Sequence, residues 1–325
     1  MDNFGTLHGQ QVVRAVLEAG NTRVAILNYG AVTQDWLVNG RHVVLGFDRF
    51  EDYPAHSRSF GIIAGRVANR TALGRFSLNG RDYQLATNNG AHHLHGGDVG
   101  LGRRVWGMER DSAANALRLT YRSPDGEDGY PGAVDFTVTI TLTGTTLTYD
   151  MQAMPDRETP INLAQHNYYN LGGGDVLGHR IWLDATGYTP VDDGLIPTGQ
   201  IASLAGTHFD YRSPVAIGEA DPNGYGVDLN FVLNDSRDPA RPAARVVGPD
   251  GLTLQLHTDQ PGLQVFNAPV MDIPVPGLDG ATYGRFGGLC LEAQHFPDSL
   301  NTAQFPSIIC SPAHPYRQIL RVQIE

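Results

Sequence analysis

The sequence predicts an all-β protein built as a large antiparallel β-sandwich. Three observations carry that expectation. Apolar and polar residues alternate over long stretches, most clearly at Val134, Phe136, Val138, Ile140 and Leu142, with Asp135 and three threonines between them. Asn39-Gly40 and Asn79-Gly80 fall between such stretches, where tight hairpin turns belong. No segment sustains the i, i+3, i+4, i+7 spacing of an amphipathic helix, and 39 glycines and 20 prolines exceed a helical protein's needs.

In chain order, strands are expected at Thr22–Leu27 and Val32–Val38, and then, across the Asn39-Gly40 turn, at Arg41–Leu45. Phe50–Tyr53 has room for one helical turn. A second hairpin brings Phe76 and Leu78 against Tyr83 and Leu85. The alternating strand Val134–Leu142 turns at Gly144 into Leu147–Met151. Turn clusters such as Ser123-Pro124-Asp125-Gly126 and Asp221-Pro222-Asn223-Gly224 separate the remaining strands. Residues 235–245, rich in Pro, Arg and Ala, read as an exposed loop. Strand patterns of one kind flank that loop on both sides, so residues 1–325 are expected to form a single domain.

Composition narrows the function. With 325 residues, 41% hydrophobic and 18% charged, the chain can bury a substantial core. A formal net charge of −11 and the lack of any basic run argue against a nucleic-acid partner. No apolar run approaches membrane-spanning length. Two cysteines, Cys290 and Cys310, make no disulfide framework and suit a reducing compartment. The beginning, Met-Asp-Asn-Phe-Gly, lacks the features of a secretory signal, so the cytoplasm is the expected location.

The chemistry is expected around Gly288–Asn301. Leu289, Cys290 and Leu291 form an apolar run, preceded by two glycines and followed by Pro297, that reads as a buried strand ending near a loop. Glu292 comes directly off it. A carboxylate there is either salt-bridged to an arginine or, with its pKa raised by burial, suited to general-base work. Four other places invite a functional reading. In Gly65–Arg70, Arg70 can fork hydrogen bonds to sugar or carboxylate oxygens beside Asn69, or form a surface ion pair. In Ala91–Gly97, a continuous strand would put His93 and His95 on one face and His92 on the other. A metal there needs a third ligand that the motif does not supply, which favours polar substrate contact or a structural hydrogen bond. Thr159–Leu171 mixes amides, aromatics and His166 in the manner of a sugar site. His166 is a candidate general acid because its proton is mobile near neutrality, and His95 is the alternative. Asp228, in the Gly-flanked segment Gly226–Phe231, reads either as a turn residue bonding its own backbone or as a ligand to hydroxyls.

Together these segments resemble the aldose 1-epimerases, the galactose mutarotases. The resemblance runs from about residue 22 to the C-terminus through motifs in order: Gly65–Arg70, Phe76–Gly80 with Leu94–Gly97, Ser123–Gly132, Thr159–Leu171, Leu195–Gly199, Gln260–Gln264, and Leu291–Gln294 with Pro297-Asp298. It implies a mutarotase-like β-sandwich with a concave cleft for a free monosaccharide and no cofactor or metal. It also implies Glu292 as general base and His166 as general acid, with Arg70, His95, Asp228, Gln264 and Asn69 at the sugar. The monomer or homodimer state stays open. Departures from the family pattern stand at Leu229, Ala164, His208 and Phe266–Pro269. A hexose-6-phosphate epimerase would need an arginine cluster, for which Arg66 and Arg70 are the only tight pair. A non-catalytic sugar binder would have lost the acid or the base. On this reading the acid limb of the pH profile belongs to the carboxylate and the alkaline limb to the imidazole.

Overall fold

Residues 1–57, 59–238 and 240–325 are described by the structure, a computed structural model of the chain. Its architecture is all-β and antiparallel. The largest sheet has nine strands in the order Gly107–Asp111, Ala116–Ser123, Val134–Thr143, Thr146–Pro155, Tyr316–Ile324, Thr253–Thr258, Ala244–Val247, Arg180–Leu183 and Val215–Ala216. A five-stranded sheet runs Tyr168–Tyr169, Leu289–Gln294, Gly262–Phe266, Asp228–Leu233 and Ala185–Tyr188. A second five-stranded sheet takes the first strands in chain order, Asp2–Leu7 to Arg41–His42. Among the described residues the α-helices are two short ones, Asp52–His56 and Ile217–Ala220. Among the described residues no helix is long and apolar enough to cross a membrane.

The period-two pattern does its expected work. Along Val134–Thr143 every even-numbered residue is buried, and these residues join one core with Trp36 and Val24 of the N-terminal sheet and Leu263, Val265, Leu289 and Leu291 of the other five-stranded sheet. Both Asn-Gly turns place two consecutive residues at positive φ (52° and 77° at Asn39-Gly40, 54° and 73° at Asn79-Gly80), which suits the right-handed twist of the strands they join.

Several expectations shift. The strand after Asn39-Gly40 stops at His42, because Val44 leaves to pair with Tyr169 in another sheet. The strand begun at Leu147 runs on to Pro155, since Tyr316–Ile324 pairs along its length. The helical turn sits two residues later than Phe50. The loop after Asp235 ends earlier than 245, as Ala243 and Ala244 are buried and Ala244 opens a strand. Pro239 lies outside the described residues. A further correction concerns Glu292. The strand does not end before it but continues to Gln294, which puts Glu292 mid-strand.

Phe136 is fully enclosed in the core between these sheets. Phe136→Ala should therefore lower unfolding stability by about 3–5 kcal/mol, read as a lower urea midpoint with an unchanged slope.

Candidate active site

Three strands make the floor of the site. On Leu289–Gln294 the odd residues Leu289, Leu291 and Ala293 join the core, which leaves Cys290, Glu292 and Gln294 on the opposite face. The neighbouring strand repeats the device: Leu263 and Val265 face the core, Gln264 and Phe266 the other side. Register sets Gln264 opposite Glu292, and Asp228 opposite Phe266. Glu292, Phe266 and Asp228 line a cavity of about 160 Å3 with Arg70, His95, His166 and Tyr168. That is well below the roughly 300–1,000 Å3 of pockets for drug-sized ligands, and suits one small polar molecule. A larger cavity of about 790 Å3 opens beside Pro261, His295 and Phe296, away from this cluster.

The two histidines arrive on separate segments. His166 is pinned through its backbone, its N–H donating to the Ile62 carbonyl and its C=O accepting from Gly61 N–H. Its ring stacks on Tyr168 at 5.2 Å and 17°. His166 Nε2 stands 3.5 Å from Glu292 Oε1, and both side chains are almost wholly buried. His95 meets the His166 ring edge-on at 5.1 Å. His93 and His95 do not share a face, contrary to the strand reading, because the strand stops at Leu94 and His95 takes φ +50°. His93 turns into the core to bond the Ala86 carbonyl and the Tyr130 hydroxyl, and His92 Nδ1 accepts from Leu73 N–H. The next residue, Gly96, must be glycine: at φ +87°, a Cβ would lie 1.8 Å from the Gly65 carbonyl oxygen.

His95, His166 and Glu292 each offer one ligand atom, all within 4.8 Å of one another. The donor chemistry does not fit a metal well. His95 Nδ1 accepts the Asn69 N–H at 3.1 Å, so in the neutral ring the other nitrogen carries the hydrogen and is a donor rather than a ligand. That same bond places Asn69 beside the site, its φ of +63° an allowance asparagine makes more easily than most.

Arg70 and Arg66 part company. Arg70 Nε donates to Asn89 Oδ1 at 3.1 Å, and its guanidinium lies 3.7 Å from Asp228 Oδ2. Arg66 is buried in the Ser123–Gly132 loop, where it donates to the Ser123 hydroxyl and to the carbonyls of Pro124, Pro131 and Gly132. Asp228 opens its strand; its other oxygen accepts from Gln264 Nε2 at 2.6 Å, so it is no turn residue serving its own backbone. Gln264 is buried beside the cavity wall. Pro297-Asp298 anchors the Arg70 segment: Asp298 N–H donates to the Arg70 carbonyl, and its carboxylate accepts from Ala72 N–H.

The amides of Thr159–Leu171 serve the fold rather than the cleft. Asn162 exchanges hydrogen bonds with the His295 backbone, Gln165 donates to Asn167, and Asn170 ties down the carbonyls of Gly174 and Gly287. Tyr168 and Phe266 were not singled out for the cavity, yet both line it. The available signal was parity for Phe266, two residues from Gln264 on one strand, whereas Tyr168 reaches the cavity by stacking on His166. Leu229 packs against the core, so that departure from the family pattern faces away from the cleft.

Electrostatics push the central pair in opposite directions. Burial, then the nearby Asp228 charge, raises the Glu292 carboxyl well above the ordinary range, and Arg70 offsets this in part. Burial lowers His166 to about 4 and holds His95 well below its usual value, with His166 and Arg70 adding to the latter. Glu292 Oε2 and His166 Nδ1 have no hydrogen-bond partner among the described residues. A carboxyl and an imidazole, both buried, face each other with bonding capacity to spare.

The aldose 1-epimerase family model matches residues 14–323. The chain belongs to the aldose 1-epimerase family. It is 39% identical over 313 residues to a galactose mutarotase from Bos taurus, covering 92% of this chain and 90% of that one. It is 35% identical to an aldose 1-epimerase from Haemophilus influenzae, covering 86% and 85%. Among solved structures, a galactose 1-epimerase from Lactobacillus acidophilus superposes with a TM-score of 0.88 at 27% identity, covering all of this chain and 97% of that one. An aldose epimerase homologue from C. elegans gives 0.89 at 27%, covering 96% and 99%.

The raised Glu292 pKa carries a signed consequence for this epimerase-family chain. Below the unfolded carboxyl pKa both states are protonated and the group contributes nothing. As pH rises, the unfolded carboxyl ionises first and stability is lost until the folded pKa is passed. Glu292→Gln should therefore stabilise the fold at pH 8 but not at pH 4, by about 1.4 kcal/mol for each unit of displacement, measured by urea unfolding at both pH values. Arg66→Ala should lower the melting temperature by several degrees while leaving KM of the folded fraction unchanged, because its contacts are all structural.

Proposed function

We propose that the protein interconverts the α and β anomers of free aldoses such as glucose and galactose. The observation that carries this reading is the buried Glu292–His166 pair, 3.5 Å apart at the wall of a sugar-sized polar cavity. Mutarotation needs one base and one acid across the C1–O5 bond, because that bond breaks and re-forms with a proton moved at each of its ends.

In the forward direction the Glu292 carboxylate takes the proton from the anomeric hydroxyl as His166 gives one to the ring oxygen. The C1–O5 electron pair leaves with O5, and the aldehyde forms at C1. Rotation about C1–C2 presents its other face. The O5 hydroxyl then attacks C1, His166 recovers the proton from O5, and Glu292 returns one to O1. His95, fixed as a hydrogen donor by Asn69, and the Arg70 guanidinium hold sugar oxygens, while Asp228, braced by Gln264, accepts from a hydroxyl. Tyr168 and Phe266 supply apolar surface for the C–H face of the ring.

A hexose 6-phosphate finds less support. Its dianion would want both Arg66 and Arg70, and Arg66 is spent inside the Ser123–Gly132 loop.

Burial also reverses the expected order of the two titrations. With His166 near 4 and Glu292 raised, the proton shared by the pair rests mainly on the carboxyl in the empty cleft, opposite to the working form. The kcat/KM profile should be a bell whose acid limb falls near pH 4 and follows the imidazole, and whose alkaline limb follows the carboxyl. Polarimetry of freshly dissolved α-D-glucose and α-D-galactose across pH tests both the activity and the limbs. Glu292→Gln should cut kcat by about 10³-fold or more with KM little changed, since the amide keeps the shape but accepts no proton. Near-normal kcat in that variant would make Glu292 structural, and anomers that equilibrate no faster with the protein than without it would end this reading.

A further inference from the structure

Polar groups on the floor continue past the residues that the reaction uses. Register puts Asn230 opposite Gln264 and Gln264 opposite Glu292, one row across three strands, and in the next row Gln294 stands opposite Gly262. Directly opposed residues of antiparallel strands share a face, and so do residues two apart. Asn230, Gln264, Glu292 and Gln294 thus crowd one side of the sheet, and none is more than 3% exposed. Gly262 lets the rows close up, for a Cβ there would lie 2.5 Å from Asn230 Oδ1 and 3.0 Å from the Gln294 carbonyl oxygen.

This group is short of hydrogen-bond partners. Asn230 Oδ1, Gln264 Oε1, Glu292 Oε2 and both amide atoms of Gln294 are buried with none among the described residues. Buried polar groups are rarely left so, and a buried water with several polar neighbours is the usual remedy. The count agrees. Four acceptor oxygens face the two N–H donors of the Gln294 amide, and one water molecule brings two more hydrogens.

We infer that Gln294 is a positioning residue for Glu292, holding with Asn230 and Gln264 an ordered water against Glu292 Oε2 beneath the sugar. The inference rests on Glu292 being the proton acceptor proposed above. The water donates one hydrogen to Oε2, which favours the ionised carboxylate and keeps Oε1, the oxygen nearer His166, turned to the anomeric hydroxyl. Gln294 touches no reacting atom; it acts through the water.

Gln294→Met keeps the length of the side chain and removes its donors. In that variant kcat should fall about tenfold with KM within about twofold. One limb of the kcat/KM profile should move alkaline by about one unit while the other stays. A side chain that only fills space would reduce the amount of active protein and move neither limb, so unchanged limbs overturn the inference. A high-resolution crystal structure of the unmodified, sugar-free protein decides independently of whether the variant folds. A water within hydrogen-bonding distance of both Glu292 Oε2 and the Gln294 amide is expected, and those atoms bonded elsewhere without it would overturn the assignment. Failure of the unmodified protein to anomerise any aldose would defeat the proposed function instead, whereas an active enzyme with unmoved limbs removes the role of Gln294 alone.

Discussion

The site depends on one strand being buried on both faces. Leu289, Leu291 and Ala293 lock Leu289–Gln294 into the core, and the alternation of the chain then forces Cys290, Glu292 and Gln294 onto the opposite side. A carboxylate placed there has no freedom to swing out to water. Its surroundings must meet its needs or shift its charge. The neighbouring strands meet part of that need with polar groups in register: Gln264 across from Glu292, and Asp228 braced by Gln264. Arg70 supplies the compensating charge from a different sheet, held in place by the Asp298 backbone and carboxylate.

The same confinement makes His166 and Glu292, the proposed acid and base, dependent on each other. Glu292 alone would be a carboxylic acid with a raised pKa, and His166 alone a buried neutral imidazole. Placed 3.5 Å apart, they stand close enough for the charge state of one to bear on that of the other. A rigid pair suits a reaction that runs equally in both directions and ends with the proton count it began with. The cost falls on stability, because two buried titrating groups favour the unfolded chain at one pH or another. Strain of this kind at a site, supported by a large apolar core elsewhere, is what an enzyme rather than a scaffold protein shows.

Much of this was legible in the sequence, for identifiable reasons. Alternation and Asn-Gly turns report local backbone physics, and the strands from Thr22 to Leu27, around Asn79-Gly80 and from Val134 onward follow them closely. Glu292 stood out because a carboxylate beside Leu-Cys-Leu is costly. Its mid-strand position was hidden, since a strand covered on both faces shows no alternation from which to read its end. The amides of Thr159–Leu171 misled for a related reason. Asn162 and Asn170 bond backbone that lies 133 and 117 residues away, at His295 and Gly287, and such partners leave no local mark. Arg66 and Arg70 show the limit most plainly: four residues apart and alike in type, one holds a loop and the other a cleft.

The histidine run carries the lesson furthest. Three histidines in four residues suggest a shared task, yet backbone geometry sends each to a different place. The strand delivers His93 to Tyr130, and the left-handed turn at His95, followed by a glycine that admits no side chain, swings the next imidazole into the cleft. Asn69, itself left-handed, then meets that imidazole with its N–H and so decides which ring nitrogen carries the hydrogen. The choice has chemical consequences. On the proposed function a donor nitrogen there holds a sugar oxygen, whereas a bare one would offer a metal ion a third ligand beside His166 and Glu292. One backbone N–H thus decides whether the side chain beside His166 and Glu292 presents a hydrogen or a bare ring nitrogen.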